Sequence, residues 1–257
     1  NIKSNQYICC MQISVIIIAK NEAENLKRSL PKLHWCDDIV LIDDCSRDQT
    51  AEIAASFGAK VFQRGFDGFG TQKQFAVSQT QHPWVLNLDA DEVMEDALIQ
   101  EILSLKVIKE VSAYELPIQH VFLGKVFKYG KESNYPHLRL FDKTRGNFND
   151  AVVHEKVITS GRTLRLKGKI LHYSYKNIEH YFQKLNSYTQ AGALKLKEKG
   201  KTRSLILCIV SFPIYFVKHY FFYGNILNGK EGFIWSYLNA WYHTVKYLKL
   251  YELNQKK

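Results

Sequence analysis

The chain has 257 residues, 46% apolar and 23% charged, so a packed core is within reach and wholesale disorder is excluded. It carries 35 Lys and Arg against 25 Asp and Glu, a net of +10, distributed very unevenly. Residues 1–164 hold 19 basic and 21 acidic side chains, whereas residues 165–257 hold 16 basic and 4 acidic ones and many of the aromatics. A basic, aromatic C-terminal third points to a polyanionic partner, either nucleic acid or an anionic membrane surface. No stretch reaches the ~20 uninterrupted apolar residues of a membrane-spanning helix. No basic leader with an apolar run and a small-residue cleavage site is expected from the opening residues.

Met11 directly precedes the first strong strand, and the expectation is that translation starts there, with residues 1–10 an upstream extension. Five cysteines, Cys9, Cys10, Cys36, Cys45 and Cys208, form no C-x-x-C pair. That pattern reads as a reduced protein without a disulfide framework, with Cys36, Cys45 and Cys208 as ordinary core residues.

Ile13 to Ile18 is a short β-branched run, as expected for a strand buried on both faces. Asn21 to Leu26 opens a helix with acids in its first turn. Ile39 to Ile42 is a second buried strand, ending in Asp43-Asp44. Thr50 to Phe57 is a helix closed by Gly58. A short strand, Lys60 to Phe62, is followed by a helix from Thr71 to Gln79. Trp84 to Leu88 is the next strand, ending in Asp89-Ala90-Asp91, and Glu95 to Leu105 is a helix. Strands alternating with helices predict a parallel sheet with helices on both faces, its polar residues gathered at the strands' C-terminal ends where such sheets bind ligands.

From Ala113 to Tyr175 short strands replace the alternation: Ala113 to Pro117, Leu138 to Phe141, Val152 to Ile158 and Ile170 to Tyr173. They predict an antiparallel extension. From Lys176 onward the periodicity is helical, and Leu205 to Val217 is an apolar run too short to cross a bilayer, suited to a buried or interfacial helix. The divisions expected are residues 12–110, 111–175 and 176–257.

Asp89 and Asp91 would repel each other unless a cation lay between them, and Mg²⁺ or Mn²⁺ takes one or two carboxylates and completes its shell with water and phosphate oxygens. In isolation, acids here are also the ordinary complement of a helix N-terminus. Asp43-Asp44 can accept from a ribose hydroxyl or a base N–H, or simply shape a turn. Asp48 and Thr50 suit N-capping. The loop Gly65 to Gly70 leading to Lys73 is either an anion cradle or a flexible loop with a solvated lysine.

Taken in order, Ser14 to Glu22, Ile39 to Thr50 and Leu86 to Asp91 resemble glycosyltransferase family 2 over about residues 12–175. The resemblance implies a GT-A fold: a Rossmann-like nucleotide-sugar half, residues 12–110, joined to an acceptor-side half, residues 111–175. It implies that Asp44 contacts the base, that Ala19, Asn21, Glu22 and Asp43 surround the nucleoside, and that Lys73 lies near the nucleotide. Asp89, Ala90 and Asp91 would hold the metal and diphosphate, with Asp91 the more direct ligand. Within the family the chain is most similar to bacterial enzymes that add glucose to the lipopolysaccharide inner core, through Phe69 to Phe75, His137 to Phe141, Val152 to Glu155 and Asn228 to Phe233. The usual Arg-Asn pair reads Lys73-Gln74 here.

The implied reaction is an inverting, metal-dependent transfer from a UDP-sugar to a membrane glycolipid. It requires a carboxylate base in the acceptor half. Glu155, expected to end a strand, is the first choice and Asp150 the second, with His154 orienting the base, contacting the acceptor or merely filling the core. Arg139 could meet an acceptor phosphate or form a surface ion pair. The segment 176–257 is expected to dock on the cytoplasmic face of the bacterial inner membrane as a peripheral contact. A nucleotidyltransferase would place a Gly-rich loop where Ala19 to Ala23 stands, and a nucleic-acid-binding protein would not gather three acidic clusters at strand ends.

Overall fold

The computed structural model describes residues 11–150 and 155–255. It divides into two compact units, residues 1–118 with 135–172, and residues 119–134 with 173–257. Residues 119–134, which a linear reading leaves in the acceptor-side half, fall in the second unit.

The first unit opens with β1 (Ile13–Ala19), α1 (Ala23–Ser29), β2 (Ile39–Asp43), α2 (Thr50–Ser56), β3 (Lys60–Gln63), α3 (Phe69–Ser78) and β4 (Trp84–Asp89). After these come β5 (Glu92–Met94), α4 (Asp96–Leu103) and β6 (Val111–Phe122), whose last residues belong to the second unit. The short β7 (Lys125–Val126) folds back on that end of β6. The chain then returns through β8 (Tyr135–Asp142), β9 (Gly146–Phe148), β10 (Val157–Thr159), β11 (Arg162–Arg165) and β12 (Ile170–His172).

The sheet order is β3-β2-β1-β4-β8-β6-β12-β5. The first four strands are parallel, and β8 runs antiparallel to both β4 and β6. The expected mixed architecture, a Rossmann-like sheet with an antiparallel extension, is therefore what forms. Period-two alternation explains the helices on both faces. Val15 and Ile17 join α1, α2 and α4 in one core, through Leu26, Ala54 and Leu98. Ile16 faces the other way, with Ala76 and Val77 of α3 and Phe141 of β8.

Three expectations need correction. β6 runs to Phe122 because Gln119 and His120, polar in the sequence, are buried. Residues 152–154 of the expected strand from Val152 lie outside the described residues, and Glu155 itself is not in a strand and comes two residues before β10. Cys45 is exposed in a turn with φ +49°, not in a core. Cys9 and Cys10 lie outside the described residues.

The lower end of β1 is tied by one buried acid. Asp38 accepts from Ser14 Oγ (2.5 Å) and from Gln81 N–H (2.7 Å), and pairs with Lys60 Nζ (2.6 Å). Burial alone would raise its carboxyl, but the Gln81 N–H, Lys60 and Ser14 hold it below the ordinary 3.8.

The second unit contains α5 (Ile178–Glu198), α6 (Leu205–Val217) and α7 (Gly229–Gln255). Asn177 caps α5 by accepting from His180 N–H (2.8 Å), and Ser204 caps α6 by accepting from Leu207 N–H (3.3 Å). α6 does not stop at Val217. A π-turn, Lys218–Phe222, continues it, so the helical apolar segment is 18 residues, long and apolar enough to cross a membrane by length and composition. The expected limit at Val217 fails because Lys218 and His219 interrupt the apolar run without interrupting the backbone.

α7 begins where the motif Asn228 to Gly232 requires glycine. Gly229 has φ +72°, and a Cβ on Gly232 would lie 1.9 Å from the Asn225 carbonyl oxygen. Asn228 Oδ1 accepts from Lys128 N–H (3.1 Å) and its Nδ2 donates to Tyr129 O (3.0 Å).

Two outcomes are expected. Asp38→Asn should cost about 2 kcal/mol in urea unfolding at neutral pH. Because the folded carboxyl titrates below the unfolded one, its contribution is present above pH 3.8 and fades as pH falls, so the gap to wild type should close in acid. Gly232→Ala should cost about 2–3 kcal/mol in thermal or urea unfolding, since the clash is with backbone.

Candidate active site

The strand order places a switch point between β1 and β4, since the chain builds outward from β1 to β3 and then crosses back to β4. Register aligns Ala19 with Asp43, and Ile18 with both Ile42 and Asp89. The acids at the ends of β2 and β4 therefore share the C-terminal edge of one sheet with the β1 turn.

The β1 and β2 turns are stitched together. Asn21, with φ +56°, donates its N–H to Ser46 Oγ (2.9 Å) and accepts from Arg47 N–H on Oδ1 (2.8 Å). Glu22 N–H donates to Thr50 Oγ1 (2.8 Å), and Asp44 N–H to Ala19 O (2.9 Å). Asp48 accepts from Ala23 N–H (3.2 Å) and Thr50 N–H (3.0 Å), so it serves the start of α1 as well as α2. Asp43 is buried and accepts from Ser46 N–H (3.2 Å), a turn-shaping role. Asp44 accepts from Lys20 Nζ (2.8 Å) and from Phe66 N–H (2.9 Å). Phe66 is exposed and meets Phe69 edge-on at 4.8 Å. The Gly65–Gly70 loop is pinned by Gln72 Nε2, which donates to the carbonyls of Arg64 and Gly65 (3.0 Å each).

At the end of β4 lies a chain of charges. Lys73 is buried, which overturns the solvated-lysine reading, and its Nζ meets Glu155 Oε1 at 2.5 Å and Asp89 Oδ1 at 3.5 Å. Arg139 Nη2 donates to Asp89 Oδ2 (2.8 Å) and Glu92 Oε1 (2.5 Å). Arg139 is thus a buried bridge, not a surface pair. Glu92 Oε2 accepts the Asp89 N–H (3.0 Å), which locks the turn through Ala90. Burial would raise the Asp89 carboxyl, yet Arg139 and Lys73 hold it well below the usual range. Burial pushes Glu92 up to about 7, against the pull of Arg139 and with the help of the neighbouring Asp89 charge.

With both Asp89 oxygens engaged, Asp91 is the acid left for a cation. Its Oδ1 lies 3.3 Å from His172 Nε2. Burial opposes the charged imidazole, but Asp91, then Glu92 and Asp89, raise it above its ordinary value. Among the described residues no three metal-ligating side chains converge. The Asp91 carboxylate nevertheless fits Mn²⁺ or Mg²⁺ with the remaining positions filled by phosphate and water, and the adjacent imidazole nitrogen suits Mn²⁺ better than the harder Mg²⁺.

A cavity of about 770 Å³ opens on this charge chain, lined by Lys73, Asp89, Glu155, Arg139, Asn87 and His137 among others. Burial and the adjacent Arg139 hold His137 neutral, down to about 4. Asn87 Oδ1 and Arg139 Nε are buried without a partner. Asp150 lies off this cluster, its Oδ1 accepting from Gln74 Nε2 (2.7 Å). His154 lies outside the described residues.

Sequence reasoning missed Glu92 and His172. Glu92 was hidden in an acidic run that reads as a helix start. His172 meets the site only because β12 pairs antiparallel with β5, setting His172 opposite Glu92, and no local motif announces that pairing.

Among solved structures, Staphylococcus aureus TarS 1–349 in complex with UDP-GlcNAc matches with a TM-score of 0.48, at 15% identity over 96% of this chain and 92% of that one. Among curated proteins, the lipopolysaccharide core biosynthesis glycosyltransferase LpsC of Rhizobium meliloti is 28% identical over 96% of this chain and 94% of its own length. An uncharacterized glycosyltransferase of Rickettsia typhi is 29% identical over 95% of this chain and 88% of its own length. The model of the glycosyl transferase family 2 matches residues 14–168. That span takes in both acidic strand ends and the Lys73–Glu155 pair, and the chain belongs to this family as a glycosyltransferase.

Proposed function

We propose that the chain transfers glucose from UDP-glucose to a membrane glycolipid of the lipopolysaccharide inner-core type, with inversion and with a divalent metal. The enzyme would work at the cytoplasmic face of the bacterial inner membrane, held peripherally through the segment 176–257. The observation that carries the reading is the convergence of Asp89, Lys73, Arg139 and Glu155 on one cavity over β4, β6 and β8, beside α3. The likeness to LpsC supports the acceptor class.

In this reading Asp44 receives the nucleoside, with the exposed Phe66 ring beside it. Asp91 and His172 hold Mg²⁺ or Mn²⁺, which when bound neutralises charge on the departing diphosphate. Arg139 and Lys73 keep Asp89 ionised and fix the turn that presents Asp91. The acceptor hydroxyl attacks the anomeric carbon as the bond to the diphosphate breaks, and Glu155 Oε takes the hydroxyl proton. Lys73 holds that carboxylate in place until the acceptor arrives. Asp150 remains the second choice of base, since Gln74 binds it at the rim of α3.

Calorimetry with UDP should show Mn²⁺-dependent binding that Asp91→Ala abolishes, and His172→Ala should lose most of the metal-dependent increment. UDP binding that is the same with and without metal would overturn the metal assignment. Glu155→Gln should bind UDP within about twofold of wild type and lose about 100-fold in transfer. Full activity in that variant together with loss in Asp150→Asn would move the base to Asp150.

A further inference from the structure

The second unit carries an apolar surface that the transfer chemistry does not use. The 18-residue helical segment Leu205–Phe222 has a mean hydropathy of 1.7, and only 17% of it is buried. Ile206 (72% exposed), Ile209 (60%), Ile214 (59%) and Phe222 (82%) point outward. Ile206, Ile209, Pro213 and Val217 follow at helix spacing and mark the centre of a broad exposed stripe, with Ile214 beside it and Phe222 beyond on the π-turn. Beside the stripe is a groove of about 660 Å³, floored by Pro213, Ile214, Val217 and Phe222 and edged by Lys218 and Tyr223.

Cations flank the stripe. At its C-terminal end Lys131 Nζ lies 4.5 Å and Lys218 Nζ 5.6 Å from the centre of the Tyr223 ring. Together they pull the Tyr223 phenol below its ordinary value, Lys131 more strongly. At its N-terminal end Lys199, Lys201 and Arg203 precede the helix and are exposed. Apolar side chains bounded by ammonium groups complement the acyl region and phosphates of an anionic leaflet.

The opposite side of α6 decides how it meets the bilayer. Ser211 Oγ is 3.1 Å from Thr244 Oγ1, Tyr215 OH is 3.0 Å from Tyr247 OH, and Phe212 packs on Tyr237 and Trp241. α6 is thus seated along α7, which carries His243, Lys246, Lys249 and Glu252. Crossing a bilayer would draw those groups into hydrocarbon, at several kcal/mol each.

We propose that α6 and its π-turn lie in the plane of a leaflet containing anionic phospholipid, with Ile206, Ile209, Ile214 and Phe222 entering the acyl region and Lys131 and Lys218 meeting lipid phosphates. The proposal deepens the membrane-acceptor reading and rests on it.

The test is flotation of the full chain with vesicles of phosphatidylcholine alone and of phosphatidylcholine mixed with phosphatidylglycerol, with UDP binding measured on the same preparations. Wild type should float with the anionic vesicles and be released by high salt. The double variant Ile209→Asp with Phe222→Asp should stay in solution. Lys131→Gln with Lys218→Gln should bind about thirtyfold more weakly, at ~1 kcal/mol per cation. All of these positions are exposed, and an unchanged helical circular-dichroism spectrum together with retained UDP binding shows that the variants fold. Flotation of both double variants like wild type overturns the proposal, as does equal wild-type binding to phosphatidylcholine alone. Retention in the membrane after high salt and alkaline carbonate overturns the in-plane arrangement in favour of a crossing helix. Absence of flotation with UDP binding intact removes the surface alone. Flotation without UDP binding removes the donor reading and leaves the surface standing.

Discussion

The site depends on Arg139. β4 and its turn collect Asp89, Asp91 and Glu92 within four residues, and Glu92 has no access to water. Like charges this close, in a low-dielectric setting, repel by several kcal/mol if they are left uncompensated. Arg139 answers with one guanidinium nitrogen on both Asp89 and Glu92, and Lys73 answers from α3 on the free side of Asp89. The bridge explains why the antiparallel extension is part of the site. Arg139 sits on β8, and β8 is hydrogen-bonded directly to β4. The parallel half alone would present three acids with one buried lysine.

This arrangement divides labour between two carboxylates that look equivalent in a D-x-D. Asp89 is consumed by the chain's own cations and acts as a structural anion. Asp91 instead faces His172 across the β5–β12 pair, and is the carboxylate to which the proposed reading gives the cation. The same division holds at the end of β2, where Asp43 is spent on its own turn while Asp44 sits under the Phe66 loop.

The parallel strands were legible because burial on both faces leaves a continuous apolar run, as in Ile13 to Ile18, and because the acids follow these runs immediately. Helix and strand order, the antiparallel extension and the position of Asp44 and Asp89 at the C-terminal edge of one sheet were legible for the same reason. What escaped depended on contacts far apart in the chain. The burial of Lys73 comes from Glu155, 82 residues on, and its sequence context is a polar helix that looks solvated. His172 needs a strand pairing that a three-residue β12 cannot signal. The length of β6 was obscured by Gln119, whose amide is satisfied in the interior by the Phe127 carbonyl (2.6 Å). The helical segment beyond Val217 was obscured by Lys218, whose stem stays in the helix while its ammonium turns to the Tyr223 ring.

The uneven charge along the chain follows from these same pairings. In residues 1–164 basic and acidic groups nearly balance, and the pairs are used internally: Lys20 with Asp44, Lys60 with Asp38, Lys73 with Glu155, Arg139 with Asp89 and Glu92. Four acids in residues 165–257 cannot neutralise sixteen cations. Several of those cations lie instead over aromatic rings, Arg203 on Tyr247 and Lys246 on Tyr242 and Tyr247, which orients them without cancelling their charge. A surface left positive in this way keeps a long-range attraction for anions, and the apolar stripe of α6 between its cations makes a bilayer a better match than a soluble polyanion, which has no acyl layer to bury it.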